Sequence, residues 1–144
     1  MDIIPFNAGH IDGIVKLEKE CFTIPWSREM FEEELKSKLA VYYIAMDGEK
    51  LIGYAGMWRI LDEGHITNIA VASNYRRTGV GQALLDKIIK EAEKLKISTL
   101  LLEVRASNNA ARRFYEKNGF IEVGLRRGYY VDNNEDAILM TRNE

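Results

Sequence analysis

The chain has 144 residues, 47% hydrophobic and 29% charged, a size at which one domain buries roughly 70% of the surface its unfolded chain exposes. Twenty basic against twenty-two acidic side chains leave a net charge of −2, which argues against a protein that grips nucleic acid mainly through phosphates, although Arg76-Arg77, Arg112-Arg113 and Arg126-Arg127 permit local basic patches. Cys21 is the sole cysteine and His10 and His65 the only histidines, so no internal disulfide and no usual zinc constellation is expected. With no signal peptide and no run near ~20 apolar residues, the expectation is a soluble, cytoplasmic protein without a membrane or metal partner.

Residues 1–6 read as a short first strand. Ile11, Ile14, Val15, Leu17, Cys21 and Phe22 then recur at helical spacing until Thr23-Ile24-Pro25-Trp26 breaks the pattern. Ser27 is placed to cap a second helix, with Glu29 and Glu32 in its first turns and Met30, Phe31 and Leu35 as its apolar side. Residues 41–46 and 51–59 flank Asp47-Gly48, a hairpin turn signal, and residues 64–71 form a third extended run. After Ser73-Asn74-Tyr75 comes Arg76-Arg77-Thr78-Gly79-Val80-Gly81, and then an amphipathic helix with Val80, Leu84, Ile88 and Leu95 as its buried stripe. Residues 99–105 predict a buried strand, and residues 108–118 a short helix closed by Gly119. Residues 121–129 and 136–141 are two last strands around a polar turn at 132–135. With no internal repeat or linker, this order predicts one α/β (α+β) domain over residues 1–144. Its mixed, mostly antiparallel sheet of about seven strands should carry helices on both faces.

Three features carry chemistry. Glycines at 79 and 81 leave backbone N–H groups uncovered where a helix N-terminus concentrates positive potential, a ready site for a pyrophosphate; a plain glycine turn is the alternative. Glu103 falls in the apolar run Leu100-Leu101-Leu102-Glu103-Val104, where a carboxylate is costly without a partner or a purpose. It is either paired with Arg105, two residues along on the same face of the strand, or a general base with a raised pKa. Asn108 and Tyr115 share one helical face, with Ala110 and Ala111 keeping the helix slim; the bland reading makes Tyr115 core and Ser107 or Asn108 a cap.

Taken in order, Ile69-x-Val71, Arg76-x-x-Gly79-x-Gly81, Glu103 and Asn108-x-x-Ala111-x-x-x-Tyr115-x-x-x-Gly119-Phe120 closely resemble the GNAT superfamily of N-acetyltransferases over essentially the whole chain. Pro25-Trp26-Ser27, the segment from Gly64 to Val71, Leu102-Glu103-Val104-Arg105, Tyr129-Tyr130 and Glu135-Asp136-Ala137 resemble the RimI group within it, enzymes that acetylate protein N-termini, typically the alanine of a ribosomal small-subunit protein.

The resemblance implies acetyl-CoA as cosubstrate. Arg76, Arg77, Thr78, Gly79, Val80 and Gly81, with Gln82, would hold its pyrophosphate through backbone N–H groups. Its arm would run beside Ile69, Ala70 and Val71, whose N–H groups include the one that polarises the thioester, and Asn108 would bind the arm. Glu103 would be the base and Tyr115 the acid in a direct transfer to a protein N-terminus, with Trp26, Tyr129, Tyr130 and Glu135 as walls of the acceptor site. Cys21, on an apolar helix side without a basic neighbour in the motif set, reads as packing, and His65 reads as structural. Two rival functions share the coenzyme half: acetylation of a small amine or a lysine side chain, and a non-catalytic acetyl-CoA-binding module.

Overall fold

Strand β1 (Asp2–Pro5) opens the computed structural model, which describes residues 1–144, and a single 3-10 turn leads from it into helix α1 (Ile11–Cys21). The helical spacing read from the sequence buries Ile11, Ile14 and Leu17 against the sheet, and Glu18 with them. Helix α2 (Arg28–Lys36) begins where Ser27 accepts a hydrogen bond from the Met30 N–H. Strands β2 (Ala40–Asp47), β3 (Lys50–Ile60) and β4 (Glu63–Val71) follow, then helix α3 (Val80–Lys94), strand β5 (Thr99–Arg105), helix α4 (Asn109–Lys117), and strands β6 (Ile121–Tyr130) and β7 (Glu135–Asn143).

The strands form one seven-stranded sheet in the order β1-β2-β3-β4-β5-β7-β6, antiparallel except between β4 and β5. Period-two alternation divides β2 between two cores: Tyr42 and Ile44 join the layer under α1 and α2, Tyr43 and Ala45 the layer under α3. Strands β2, β3, β4, β6 and β7 run one or two residues past their sequence-predicted bounds, β5 keeps them, and β1 stops one residue short at each end. The buried stripe of α3 is Val80, Leu84, Leu85, Ile88 and Ala92 rather than one ending at Leu95. Leu95 is the C-cap and only half-buried, because the chain turns there and sends Ile97 into the core instead.

Two irregularities open the sheet at its centre. Strands β4 and β5 pair only from Glu63–Thr99 to His65–Leu101, so residues 66–71 and 102–105 continue without pairing to each other. Strand β4 also carries a bulge: Gly56 faces Asn68 while Met57 faces Ile66, leaving Thr67 as the extra residue. Thr67 is held by Tyr42, whose hydroxyl lies 3.0 Å from Oγ1. Tyr42 reaches it by crossing directly over Gly56, where a Cβ would lie 2.4 Å from the phenol ring and 2.7 Å from Thr67 Oγ1. Gly56→Ala is therefore expected to lower stability by about 2 kcal/mol, by displacing Tyr42 and the bulge. A lower urea midpoint at unchanged slope would show it.

Candidate active site

The divergence of β4 and β5 forms a cleft of about 760 Å³. Its lining gathers Trp26, Ile69, Glu103, Asn108, Tyr115, Tyr129, Tyr130 and Glu135, eight sequence-predicted site residues drawn from both ends of the chain.

Glu103 lies deep in it, its side chain 7% exposed. Its partner is not Arg105, as strand parity suggested, but His65, whose Nε2 lies 2.6 Å from Oε2 across the seam between β4 and β5. The His65 ring stands edge-on to Trp58 and is 29% exposed, so the pair runs from a buried carboxylate toward solvent. His65 is thus in direct contact with the carboxylate rather than merely a strand residue. Arg126 Nε is 4.0 Å from the other oxygen, from a side chain 55% exposed, an interaction of little strength.

Asn108 caps α4, its Oδ1 accepting from Ala111 N–H at 3.1 Å. The cap reading holds, and the same residue lines the cleft. Tyr115 packs on Phe114 and Phe120, as the core reading expects, and it also lines the cleft. Burial, with Tyr130 nearby, pushes its phenol well above the ordinary range and keeps it protonated. Burial also pushes Tyr130 up to about 12. Tyr130 carries the Arg105 guanidinium 4.1 Å over its ring, and Tyr129 packs against it edge-on. Trp26 packs on Phe31. Glu135 lines the cleft with its carboxylate already engaged, by Ser107 N–H at 2.7 Å and Arg105 at 3.4 Å, and the Ser107 hydrogen bond holds its pKa down.

Ala70, Val71 and the 76–82 segment lie past the cleft, at the C-terminal end of β4. Ala70 is buried on the α1 side, so only its backbone is available to a ligand. Gly79 precedes α3 at φ 90°, a conformation that favours glycine, and Arg77 shares it at φ 62°. The first intrahelical bond of α3 runs from Ala83 N to Gly79 O, and none of the backbone N–H groups from Arg77 to Gln82 has an acceptor within the protein. Arg76 differs: its N–H donates to Ser73 O, and its guanidinium reaches Val71 O at 3.3 Å and Cys21 Sγ at 3.9 Å. Cys21 therefore has a basic neighbour after all, but burial pushes its thiol up and its Sγ is turned to Val71 O, so packing remains its role.

Sequence reasoning missed a buried carboxylate. Glu18 is 1% exposed, accepts from Trp26 N–H at 3.1 Å and from Tyr54 Oη, and borders the cleft. Asn68 Nδ2 donates in turn to Tyr54 Oη at 3.3 Å. Burial pushes the Glu18 carboxyl up, against the pull of those hydrogen bonds. Its only signal in sequence was the break at Pro25-Trp26, whose freed N–H needs an acceptor.

A buried carboxylate, an open strand edge beside it and a helix N-terminus with unpartnered N–H groups at the end of that edge are thus brought together where β4 and β5 part. Residues 11–120 match the acetyltransferase (GNAT) family, and the chain belongs to that family of acyltransferases. Over 126 residues it is 41% identical to the ribosomal protein bS18-alanine N-acetyltransferase of Escherichia coli, covering 86% of this chain and 84% of that one. It is 37% identical to an N-alpha-acetyltransferase of Sulfurisphaera tokodaii, over 90% of this chain and 85% of the other. The crystal structure of the Escherichia coli ribosomal-protein-alanine enzyme superposes with a TM-score of 0.91 at 36% identity, covering 99% and 92% of the two chains.

Proposed function

We propose that this chain transfers acetyl from acetyl-CoA to the N-terminal α-amine of a protein in the cytoplasm, with the alanine of ribosomal protein bS18 as the acceptor to try first. The observation that carries the reading is Glu103, buried at the base of a cleft large enough for a chain end and oriented by His65. The acceptor is suggested by the relatives named for that alanine.

The residues present fit the cosubstrate. The unpartnered N–H groups of residues 77–82 suit a pyrophosphate, and no atom crowds a Cβ position at Gly79. The unpaired edge of β4 over residues 66–71 suits an amide-bearing arm laid down as an extra strand. Asn108, its Oδ1 used in the cap, keeps its Nδ2–H₂ for that arm.

An N-terminal amine has a pKa near ~8 and is largely protonated at neutral pH. Glu103 takes one proton from the ammonium and the freed amine nitrogen bonds to the acetyl carbon; as the carbon–sulfur bond breaks, the nitrogen gives up its second proton through solvent, which restores Tyr115 after that phenol has protonated the sulfur. A backbone N–H on the open edge of β4 stabilises the oxyanion, and Tyr115 gives its proton to the departing sulfur. Because a thiolate already leaves moderately well, Tyr115→Phe is expected to lower kcat by roughly tenfold, less than the ~10²–10⁴-fold usual for general acid catalysis. Initial rates at saturating acetyl-CoA and acceptor measure it.

The reading is tested by mass spectrometry of acceptors incubated with the protein and acetyl-CoA. The panel holds intact bS18 with its alanine start, its N-terminal peptide, an N-blocked copy and lysine-rich peptides. One acetyl group on the alanine and none on the blocked copy supports it. Acetyl on lysine, or on none of the panel, sends the acceptor to side chains or small amines.

A further inference from the structure

The geometry points to Asn68 as a residue that holds the attacking amine, its carbonyl oxygen turned into the cleft by a hydrogen-bond chain that starts at the buried Glu18, an inference that rests on the transfer reading above. Asn68 sits on β4 beside the bulged Thr67, in the stretch of residues 66–71 that has no partner in β5. Glu18 comes from α1 and Tyr54 from β3, and both Glu18 and Asn68 line the cleft.

The direction of the chain is fixed at its buried end. The Trp26 N–H donates to one Glu18 oxygen at 3.1 Å, and the other oxygen accepts from Tyr54 Oη. An ionised carboxylate has no proton to return. Burial and the neighbouring Glu18 charge push the Tyr54 phenol well above its ordinary range, so Tyr54 keeps its single proton and directs it to Glu18. The Tyr54 oxygen is left to accept, and Asn68 Nδ2 donates to it at 3.3 Å. Asn68 therefore turns its Oδ1 the other way. That oxygen has no partner within the protein and is not buried, which makes it an acceptor open to the cleft.

Asn68 and Glu103 face the same side of the sheet. Leu102 and Val104 turn into the core under α3, so Glu103 between them faces the side of α1. Ala70 turns into the core under α1, and Asn68, two residues before it, shares that face. An amine that approaches a thioester laid along β4 from the side of its base meets Asn68 Oδ1 as well as Glu103. The nitrogen keeps N–H donors throughout the attack and gains positive charge as the new bond forms. An amide oxygen accepts from it without competing for the proton, which leaves Glu103 as the base. Glu18 and Tyr54 act through Asn68 and are positioning residues.

The test follows initial rates on a peptide that begins with Ala, with calorimetric Kd for acetyl-CoA and thermal midpoints measured alongside. Asn68→Ala removes the acceptor. Glu18→Gln reverses the chain: the Trp26 N–H holds the new amide's oxygen, its NH₂ donates to Tyr54, Tyr54 donates to Asn68, and Asn68 turns Nδ2 toward the cleft. Each variant is expected to lower kcat/KM for the peptide by about tenfold or more, the scale of one hydrogen bond to a charged group, with the Kd for acetyl-CoA unmoved. In Glu18→Gln/Asn68→Asp the reversed chain ends on a carboxylate that again puts an oxygen in the cleft. This double variant is expected to recover to within about threefold of wild type. Asn68→Asp alone sets two carboxylates on one phenol proton and is expected to be poorer than the double variant. A role in folding alone predicts the reverse, with two substitutions more damaging than one. Asn68→Ala leaves Glu18, Tyr54 and Trp26 paired, so it decides the matter if Glu18→Gln folds poorly. An Asn68→Ala protein within about twofold of wild type, or a double variant no better than Glu18→Gln, overturns the assignment alone. A wild-type protein that transfers nothing to the peptide overturns the transfer reading and the assignment together.

Discussion

Glu103→Gln is expected to lower kcat by about 10²–10⁴-fold while leaving the Kd for acetyl-CoA nearly unchanged. The amide keeps the shape of the carboxylate, and its oxygen can still accept from the His65 Nε2–H that now lies 2.6 Å from Glu103. It loses only the ability to take a proton. The contact with Arg126, at 4.0 Å from a mostly exposed side chain, contributes little to the fold. Glu103 makes no hydrogen bond to the 76–82 segment, so coenzyme affinity has no reason to move. The deficit should shrink above pH ~8, where the acceptor amine sheds its proton without help. Rates followed by product mass between pH 6 and pH 9 test both parts, and a variant as active as wild type at neutral pH would remove Glu103 as the base.

What the sequence disclosed depended on whether a signal was local. Helix α1 was legible because Ile11, Ile14 and Leu17 repeat along one face, and α2 because Ser27 caps it through its own nearby N–H groups. Glu103 stood out as one charge in an apolar run, but its partner did not. Arg105 shares its face by parity, yet finds Asp132 and Asn133 in the turn between β6 and β7 and Glu135 at the start of β7, while Glu103 meets His65 across a seam that only the sheet order creates. Glu18 was hidden for the same reason. Glu18-Lys19-Glu20 reads as the solvent side of a helix, and only the convergence of Tyr54 and Trp26, both distant along the chain or beyond a break, makes Glu18 a buried acceptor. The bulge at Thr67 leaves no compositional mark at all, since register is a property of two strands together.

Gly81→Trp is expected to weaken acetyl-CoA binding by at least about 100-fold, since two charge-assisted hydrogen bonds of ~1.5–3 kcal/mol each would be blocked. The N–H groups from Arg77 to Gln82 have no internal acceptor, and the N-terminal end of α3 adds its partial positive charge in the same place. A Cβ on Gly81 would meet only Val71 Cγ2 at 3.7 Å and Phe114 Cζ at 4.0 Å, ordinary contacts. The backbone therefore tolerates a side chain here, and Gly81→Ala should bind almost as wild type does. An indole at the same position covers the donors themselves. The pair of variants separates occlusion from misfolding: thermal midpoints without ligand should agree within a few degrees, while calorimetric titration with acetyl-CoA should differ between them. If Gly81→Trp binds as tightly as Gly81→Ala, the bare N–H groups are only a helix start, and the carrier's phosphates must be held elsewhere along β4 and α4.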